Sequence, residues 1–166
     1  MQQITKVVNF RGTETSSTKE VTVIMNHLLG KGQFGSVYLA YDKKDPSKKF
    51  AIKCLDKKKY SSPALQKALK NEVGLMLSMN SDYVVRLIDT QSTASSYYLL
   101  MEICNGCDLK TLRDVRGKYL PEKEARVIMQ QLVRGLMALK EKKIVHRDLK
   151  MDNVMLNFKS FPDFYG

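Results

Sequence analysis

The sequence predicts an α+β fold: a small, mostly antiparallel five-stranded sheet lobe with one helix, followed by a helical lobe. Three observations predict it. Short β-branched and apolar runs recur through the N-terminal part, two longer segments carry apolar residues at helical spacing, and the strands come before the main helix instead of alternating with helices.

Residues 1–20 are polar and rich in Thr, Ser and charge, and read as a poorly ordered lead-in to a domain spanning 21–166. Val21 to Leu29 is apolar and β-branched, a strand. Gly30 to Gly35 is a glycine-rich turn, and Ser36 to Tyr41 reads as the returning strand of a hairpin. Phe50 to Leu55 is a third strand. Ser62-Pro63 starts a helix, with Ser as N-cap and Pro in the first turn. Behind it Leu65, Leu69, Val73 and Met76 form one apolar stripe. Tyr83 to Asp89 and Tyr97 to Ile103 read as two further strands, with polar Thr90 to Ser96 between them. A short polar helix, about Asp108 to Val115, precedes the strongest helix of the chain. That helix starts near Pro121, carries the stripe Ala125, Ile128, Met129, Leu132, Val133 and Leu136, and ends in Lys140-Glu141-Lys142-Lys143. The joint between lobes falls near Glu102 to Cys107, dividing 21–103 from 104–166.

Composition limits the function classes. With 43% hydrophobic and 27% charged residues, the chain is neither wholly disordered nor collagen-like. No apolar run approaches the ~20 residues of a membrane span. The N-terminus lacks the apolar core of a signal peptide, so a soluble, cytoplasmic protein is expected. Cys54, Cys104 and Cys107 are too few and too odd in number for a disulfide scaffold. Cys104-Asn105-Gly106-Cys107 spells C-x-x-C, but without a second pair it reads as two reduced thiols in a turn. The net charge of +11 (28 Lys+Arg against 17 Asp+Glu) raises nucleic acid or an anionic membrane as partners. The basic residues are scattered and no aromatic platform interleaves with them, which favours a solvated surface or an acidic remainder of the protein elsewhere.

Three segments carry chemistry. Gly30-Lys31-Gly32-Gln33-Phe34-Gly35-Ser36-Val37 fits G-x-G-x-x-G-x-V. The turn leads into a strand, which disfavours a dinucleotide fold, and its glycines allow backbone to lie over phosphate oxygens. Phe50-Ala51-Ile52-Lys53 places Ala51 and Lys53 on one face of a strand. Lys53 there pairs with phosphate if an acid holds it, and Glu72 in the first helix is positioned to face the sheet. Finally, His146-Arg147-Asp148-Leu149-Lys150-Met151-Asp152-Asn153 offers a carboxylate to accept a hydroxyl proton, a lysine to stabilise transferring charge and an amide to ligate a metal.

In this order the three motifs resemble the eukaryotic protein kinases, over about Met25 to Asn157. The resemblance implies a kinase-like α+β fold and ATP-dependent phosphorylation of serine or threonine on protein substrates, with Mg²⁺. It implies that Gly30, Lys31, Gly32, Gln33, Phe34 and Gly35 cover the ATP phosphates. Lys53 contacts the α- and β-phosphates and pairs with Glu72. Val37 and Ala51 line the adenine pocket on one side and Met155 on the other. Met101 is the gatekeeper, Glu102 to Cys104 the hinge, and Asp108 lies near the ribose. Asp148 orients and deprotonates the substrate hydroxyl, Lys150 marks the serine/threonine type, and Asn153 holds one metal ion. His146 is a packing residue, and Arg147 resembles kinases controlled by phosphorylation. The Cys104 to Leu109 stretch is faintly similar to autophagy-initiating kinases.

The chain departs from the family pattern in three places. Met151 replaces a common proline and Cys107 a common glycine. The third is larger: no Asp-Phe-Gly triplet occurs. Asp163-Phe164-Tyr165-Gly166 is a near miss, read as coincidence because Pro162 sits where a strand is needed. The activation segment is also missing, so the 166 residues are expected to be an inactive piece of a kinase, with the long helix turning apolar residues to water. The alternative is a truncated pseudokinase acting as a regulatory binding module on a protein partner.

Overall fold

Alternating inward and outward side chains build a single antiparallel sheet of six strands in the N-terminal part of the chain. The computed structural model describes residues 3–11, 18–32 and 35–158. The chain divides into two compact units, Met1–Ser78 with Arg86–Ile103, and Met79–Val85 with Cys104–Gly166.

The first unit contains β1 (Thr5–Arg11), β2 (Thr18–Lys31), β3 (Gly35–Asp42), β4 (Lys49–Asp56), β5 (Leu87–Ser92) and β6 (Ser96–Glu102). Their order in the sheet is β1-β2-β3-β4-β6-β5. The sheet curls so that β1 also meets β5. Helix α1 (Pro63–Leu77) starts as expected: the Ser62 side chain accepts the Leu65 N–H at 3.3 Å, with Pro63 in the first turn.

A sixth strand joins the five expected. β1 lies within the stretch read as a poorly ordered lead-in, and β2 begins three residues earlier than expected, at Thr18. The cause is a two-residue period easily lost among polar neighbours: Val8 and Phe10 point inward and are buried, Phe10 completely. Lys6 anchors the strand further by donating to the Tyr98 hydroxyl at 2.5 Å.

The two faces of the sheet carry separate cores. On one, Phe10, Val21, Val23, Ile52 and Leu100 pack together. On the other, Leu55, Leu87 and Leu99 pack with Tyr60 and with Leu69 of α1. Leu65, at the start of the α1 stripe, is exposed.

β5 differs from expectation. It begins at Leu87, not Tyr83, and runs through Thr90 and Gln91, which were read as a connector. The apolar Tyr83 and Val84 belong to the second unit, where the Tyr83 carbonyl lies against Gly135. The polar strand residues are tolerated because β5 ends the hydrogen-bonded order of the sheet, where one edge of the strand forms no ladder.

The second unit contains α2 (Leu109–Val115), α3 (Glu122–Glu141) and a short 3₁₀ turn at Met151–Asn153. Glu122 and Glu124 in the first turn of α3 and Lys140 in its last complement the helix dipole. The predicted stripe of α3 splits. Ile128 is buried, together with Gly135 and Leu139, whereas Met129, Val133 and Leu136 are exposed. No helix among the described residues is long and apolar enough to cross a membrane.

Candidate nucleotide and phosphoryl-transfer residues

In the first unit, strand register gathers the predicted residues on one face. Gly30 pairs with Val37, Val37 with Lys53, and Ala51 with Met101. Directly opposed residues of an antiparallel sheet share a face, as do residues two apart along a strand. Val37, Ala51, Lys53 and Met101 therefore form one patch beside the turn between β2 and β3.

That turn is closed by the Gly32 N–H donating to the Gly35 carbonyl at 2.9 Å. Gln33 and Phe34 at its tip lie outside the described residues, and so does Asp163-Phe164-Tyr165-Gly166. Among the described residues, packing requires glycine at only one of the three positions. A β-carbon on Gly35 would run into the Cys54 carbonyl, so packing alone requires glycine there. Gly30 has no neighbour within 4 Å of its β-carbon position, and neither it nor Gly32 has the positive φ that favours glycine. Among the described residues, packing gives no reason for glycine at Gly30. The open space there is compatible with a phosphate chain lying against the turn. Lys31 is exposed.

The expected Lys53–Glu72 pair is not formed. Glu72 is exposed on α1, and no ion pair joins it to Lys53 among the described residues. Only Leu69 of α1 is buried. Glu72 lies three positions further on, close to one helical turn, yet falls outside the narrow strip that packs on the sheet.

The hinge residues are shaped by local bonds. Glu102 exchanges backbone contact with Arg86, its N–H donating to the Arg86 carbonyl at 3.0 Å, and its carboxylate accepts the Arg86 N–H at 2.7 Å. The Glu102 N–H is therefore already hydrogen-bonded within the protein. Cys104 and Cys107 are half-buried and form no disulfide.

In the second unit, Asp108 caps α2. Its carboxylate accepts the Thr111 N–H at 2.8 Å and the Thr111 hydroxyl at 2.7 Å. These bonds hold its carboxyl below the usual value of 3.8. Asp108 also pairs with Met155 in an isolated antiparallel bridge.

Asp148, Lys150 and Asn153 converge. Lys150 Nζ lies 3.0 Å from Asp148 Oδ2. Asn153 Nδ2 donates to the Asp148 carbonyl at 2.8 Å and to Oδ2 at 2.9 Å. The Lys150 and then the Asn153 hydrogen bonds lower the Asp148 carboxyl from its usual 3.8. The Asn153 amide oxygen is not used in these bonds, and an amide oxygen is a hard donor of the kind Mg²⁺ accepts. No cluster of three or more His, Cys, Asp or Glu that could hold a metal exists among the described residues.

Sequence reasoning missed one feature of this loop. Arg147 has φ +64°, left-handed without being glycine, and the Asp148 N–H donates back to the His146 carbonyl at 2.9 Å. Such strain clusters at functional sites. No sequence signal marks it, because Arg is not among the residues enriched in that conformation. His146, expected to be a packing residue, is exposed, and its Nδ1 accepts the Asp148 N–H at 3.3 Å.

A curled antiparallel sheet with a lysine on an inner strand, followed by helices and an Asp-Leu-Lys-Met-Asp-Asn loop, is the layout of a protein kinase domain. The family model described as "Protein kinase domain" matches residues 23–161, and the chain belongs to that family. Serine/threonine-protein kinase ULK3 of Homo sapiens is 40% identical over 134 residues, 81% of this chain and 28% of that protein. Serine/threonine-protein kinase 33 of Mus musculus is 39% identical over 136 residues, 82% of this chain and 27% of that protein. The Bos taurus kinase 33 is 35% identical over 158 residues, 95% of this chain and 32% of that protein. The chain thus spans about a third or less of the curated relatives it matches.

Proposed function

We propose that this chain supplies the nucleotide-binding and catalytic-loop parts of a serine/threonine protein kinase that transfers the γ-phosphoryl group of Mg-ATP to protein hydroxyls. The observation that carries this reading is the convergence of Lys150 and Asn153 on Asp148. An ionised carboxylate held in this way is suited to orient a substrate hydroxyl and take its proton. Lys150 stabilises charge on the transferring group, and Asn153 turns its oxygen to a metal ion.

The patch of Val37, Ala51, Lys53 and Met101 supports the ATP part of the proposal: three side chains for an adenine ring and one cation for phosphates. Gly30, Lys31, Gly32, Gln33, Phe34 and Gly35 cover the phosphates. Glu102 and Cys104 present backbone to the base, Asp108 lies by the ribose, and Met155 packs on the base.

Taken by themselves, the 166 residues hold no Asp-Phe-Gly aspartate to bridge metal and phosphates, so they transfer phosphate poorly or not at all. Purified chain with Mg-ATP and a basic peptide then incorporates no more phosphate than the Lys53→Met variant. Incorporation that depends on Lys53 would contradict this. Nucleotide binding is the separate test of the family role: Mg-ATP raises the melting temperature of the chain, and Lys53→Met abolishes the rise.

A second reading, a regulatory binding module, is favoured by one observation. Met129, Val133 and Met137 leave an exposed apolar strip on α3. If that reading holds, Asp148→Asn leaves the protein's cellular effect intact and Val133→Asp removes it.

A further inference from the structure

The segment after the hinge and the segment after Asn153 form a short antiparallel ladder inside the second unit. The Gly106 N–H donates to the Leu156 carbonyl at 3.0 Å, and the Leu156 N–H donates to the Cys107 carbonyl at 3.0 Å. The Leu109 N–H donates to the Val154 carbonyl at 2.9 Å, and the Phe158 N–H to the Asn105 side chain at 2.7 Å. Asp108 and Met155 face each other in the middle.

The ladder is close enough to exclude a side chain at Gly106. A β-carbon there would lie 2.8 Å from both the Leu156 carbonyl oxygen and its β-carbon, and 2.7 Å from the edge of the Phe158 ring. Gly106 does not have a positive φ. Glycine is demanded by space, not by backbone conformation. The Leu156 carbonyl cannot yield without giving up the bond from Gly106 itself.

Met155 sits in this ladder outside the two cores and is 43% exposed, and its backbone position is set by the bridge to Asp108. The same ladder begins one residue after Asn153.

We propose that Gly106 is a positioning residue for adenine-nucleotide binding: by lacking a side chain it lets the 154–158 segment pair in the register that presents Met155 beside Asp108. This rests on the nucleotide-binding role proposed above. It also gives a use to the Gly within Cys104-Asn105-Gly106-Cys107 that needs neither a metal nor a disulfide.

The test compares Gly106→Ala with Gly135→Ala. The second also forces a β-carbon against backbone, 2.9 Å from the Tyr83 carbonyl oxygen, in the same unit but away from the ladder. ADP affinity is measured by calorimetry on the whole chain, and amide exchange is followed at Leu156 and Leu109. Both variants lower the melting temperature. Gly106→Ala weakens ADP binding about tenfold or more and speeds exchange at both amides, while Gly135→Ala keeps ADP affinity within about twofold.

Unchanged affinity in a folded Gly106→Ala chain overturns the proposal. So does an equal loss in Gly135→Ala. Should Gly106→Ala not fold, Asn105→Ala loosens the same ladder by removing the acceptor for the Phe158 N–H and is expected to weaken binding about threefold; an unchanged affinity again overturns the proposal. If the unaltered chain binds no ADP, the nucleotide-binding role itself falls and the proposal with it.

Discussion

Asn153 grips Asp148 twice, at the backbone carbonyl and at the carboxylate, through a single side-chain nitrogen at 2.8 and 2.9 Å. Both residues are exposed, so this grip and the Lys150 contact, not burial, hold the carboxylate in place. In a polypeptide that also carries an Asp-Phe-Gly segment, Asp148→Asn lowers the phosphoryl-transfer rate by about 10²-fold or more. Asn153→Ala lowers it as well, through loss of both the grip and the proposed metal ligand. Steady-state rates with peptide substrate check both.

The pH dependence of the same group has a fixed sign. The folded carboxyl of Asp148 lies below its ordinary value of 3.8, held down first by Lys150 and then by Asn153. Its contribution to stability is present above the unfolded value and is lost as pH falls through the lower folded one. Transfer rates therefore show no acid limb from this group between neutral pH and about 4. Replacing Lys150 with Met moves its titration upward, measurable by NMR of the Asp148 carboxyl.

Because Glu72 is exposed and unpaired with Lys53, Glu72→Gln changes stability by no more than about 0.5 kcal/mol. Chemical denaturation of the two chains checks this. A loss well beyond about 1 kcal/mol would mean that the Lys53–Glu72 pair is already formed in solution.

Asp108 satisfies the Thr111 N–H at the start of α2, and its carboxyl is held low by the Thr111 side chain and backbone. Asp108→Ala costs about 1 kcal/mol. Part of the same contribution disappears on acidification through the carboxylate range, because the folded group resists protonation more than the unfolded one. Denaturation midpoints at pH 7 and in acid separate wild type from the variant.

β1 carries more of the fold than its polar composition suggests. Phe10 is fully buried in the core that also holds Ile52 and Leu100. Phe10→Ala costs about 3–5 kcal/mol, a large part of the about 5–15 kcal/mol available to a domain. On the same face, burial pushes the Cys54 thiol up to about 11. Cys54 is then scarcely alkylated at pH 8 in the folded chain and reacts once Phe10→Ala or denaturant opens the core.

Much of this was legible in the residues. The β2–β3 hairpin followed from the glycines between two β-branched runs, and the α1 start followed from Ser62-Pro63. Alternation alone placed Ala51 and Lys53 on one face. The rest depended on tertiary context. Val8 and Phe10 give only two inward positions, too few to stand out from the Thr, Lys, Asn and Arg around them. Tyr83 and Val84 look like strand residues, but Tyr83 lies against Gly135 of α3 and Val84 bonds back to Ser81. Helical spacing could not say which of Met129, Leu132 and Val133 faces inward, since an apolar arc wider than the contact leaves some of it exposed. The left-handed turn at Arg147 has no compositional trace.

Nucleotide binding through Lys53 is the central proposed property of the chain. Calorimetric titration of the whole chain with ADP and Mg²⁺ should give saturable one-to-one binding that Lys53→Met weakens about tenfold or more. Absence of saturable binding, or equal affinity in the Lys53→Met chain, would contradict it.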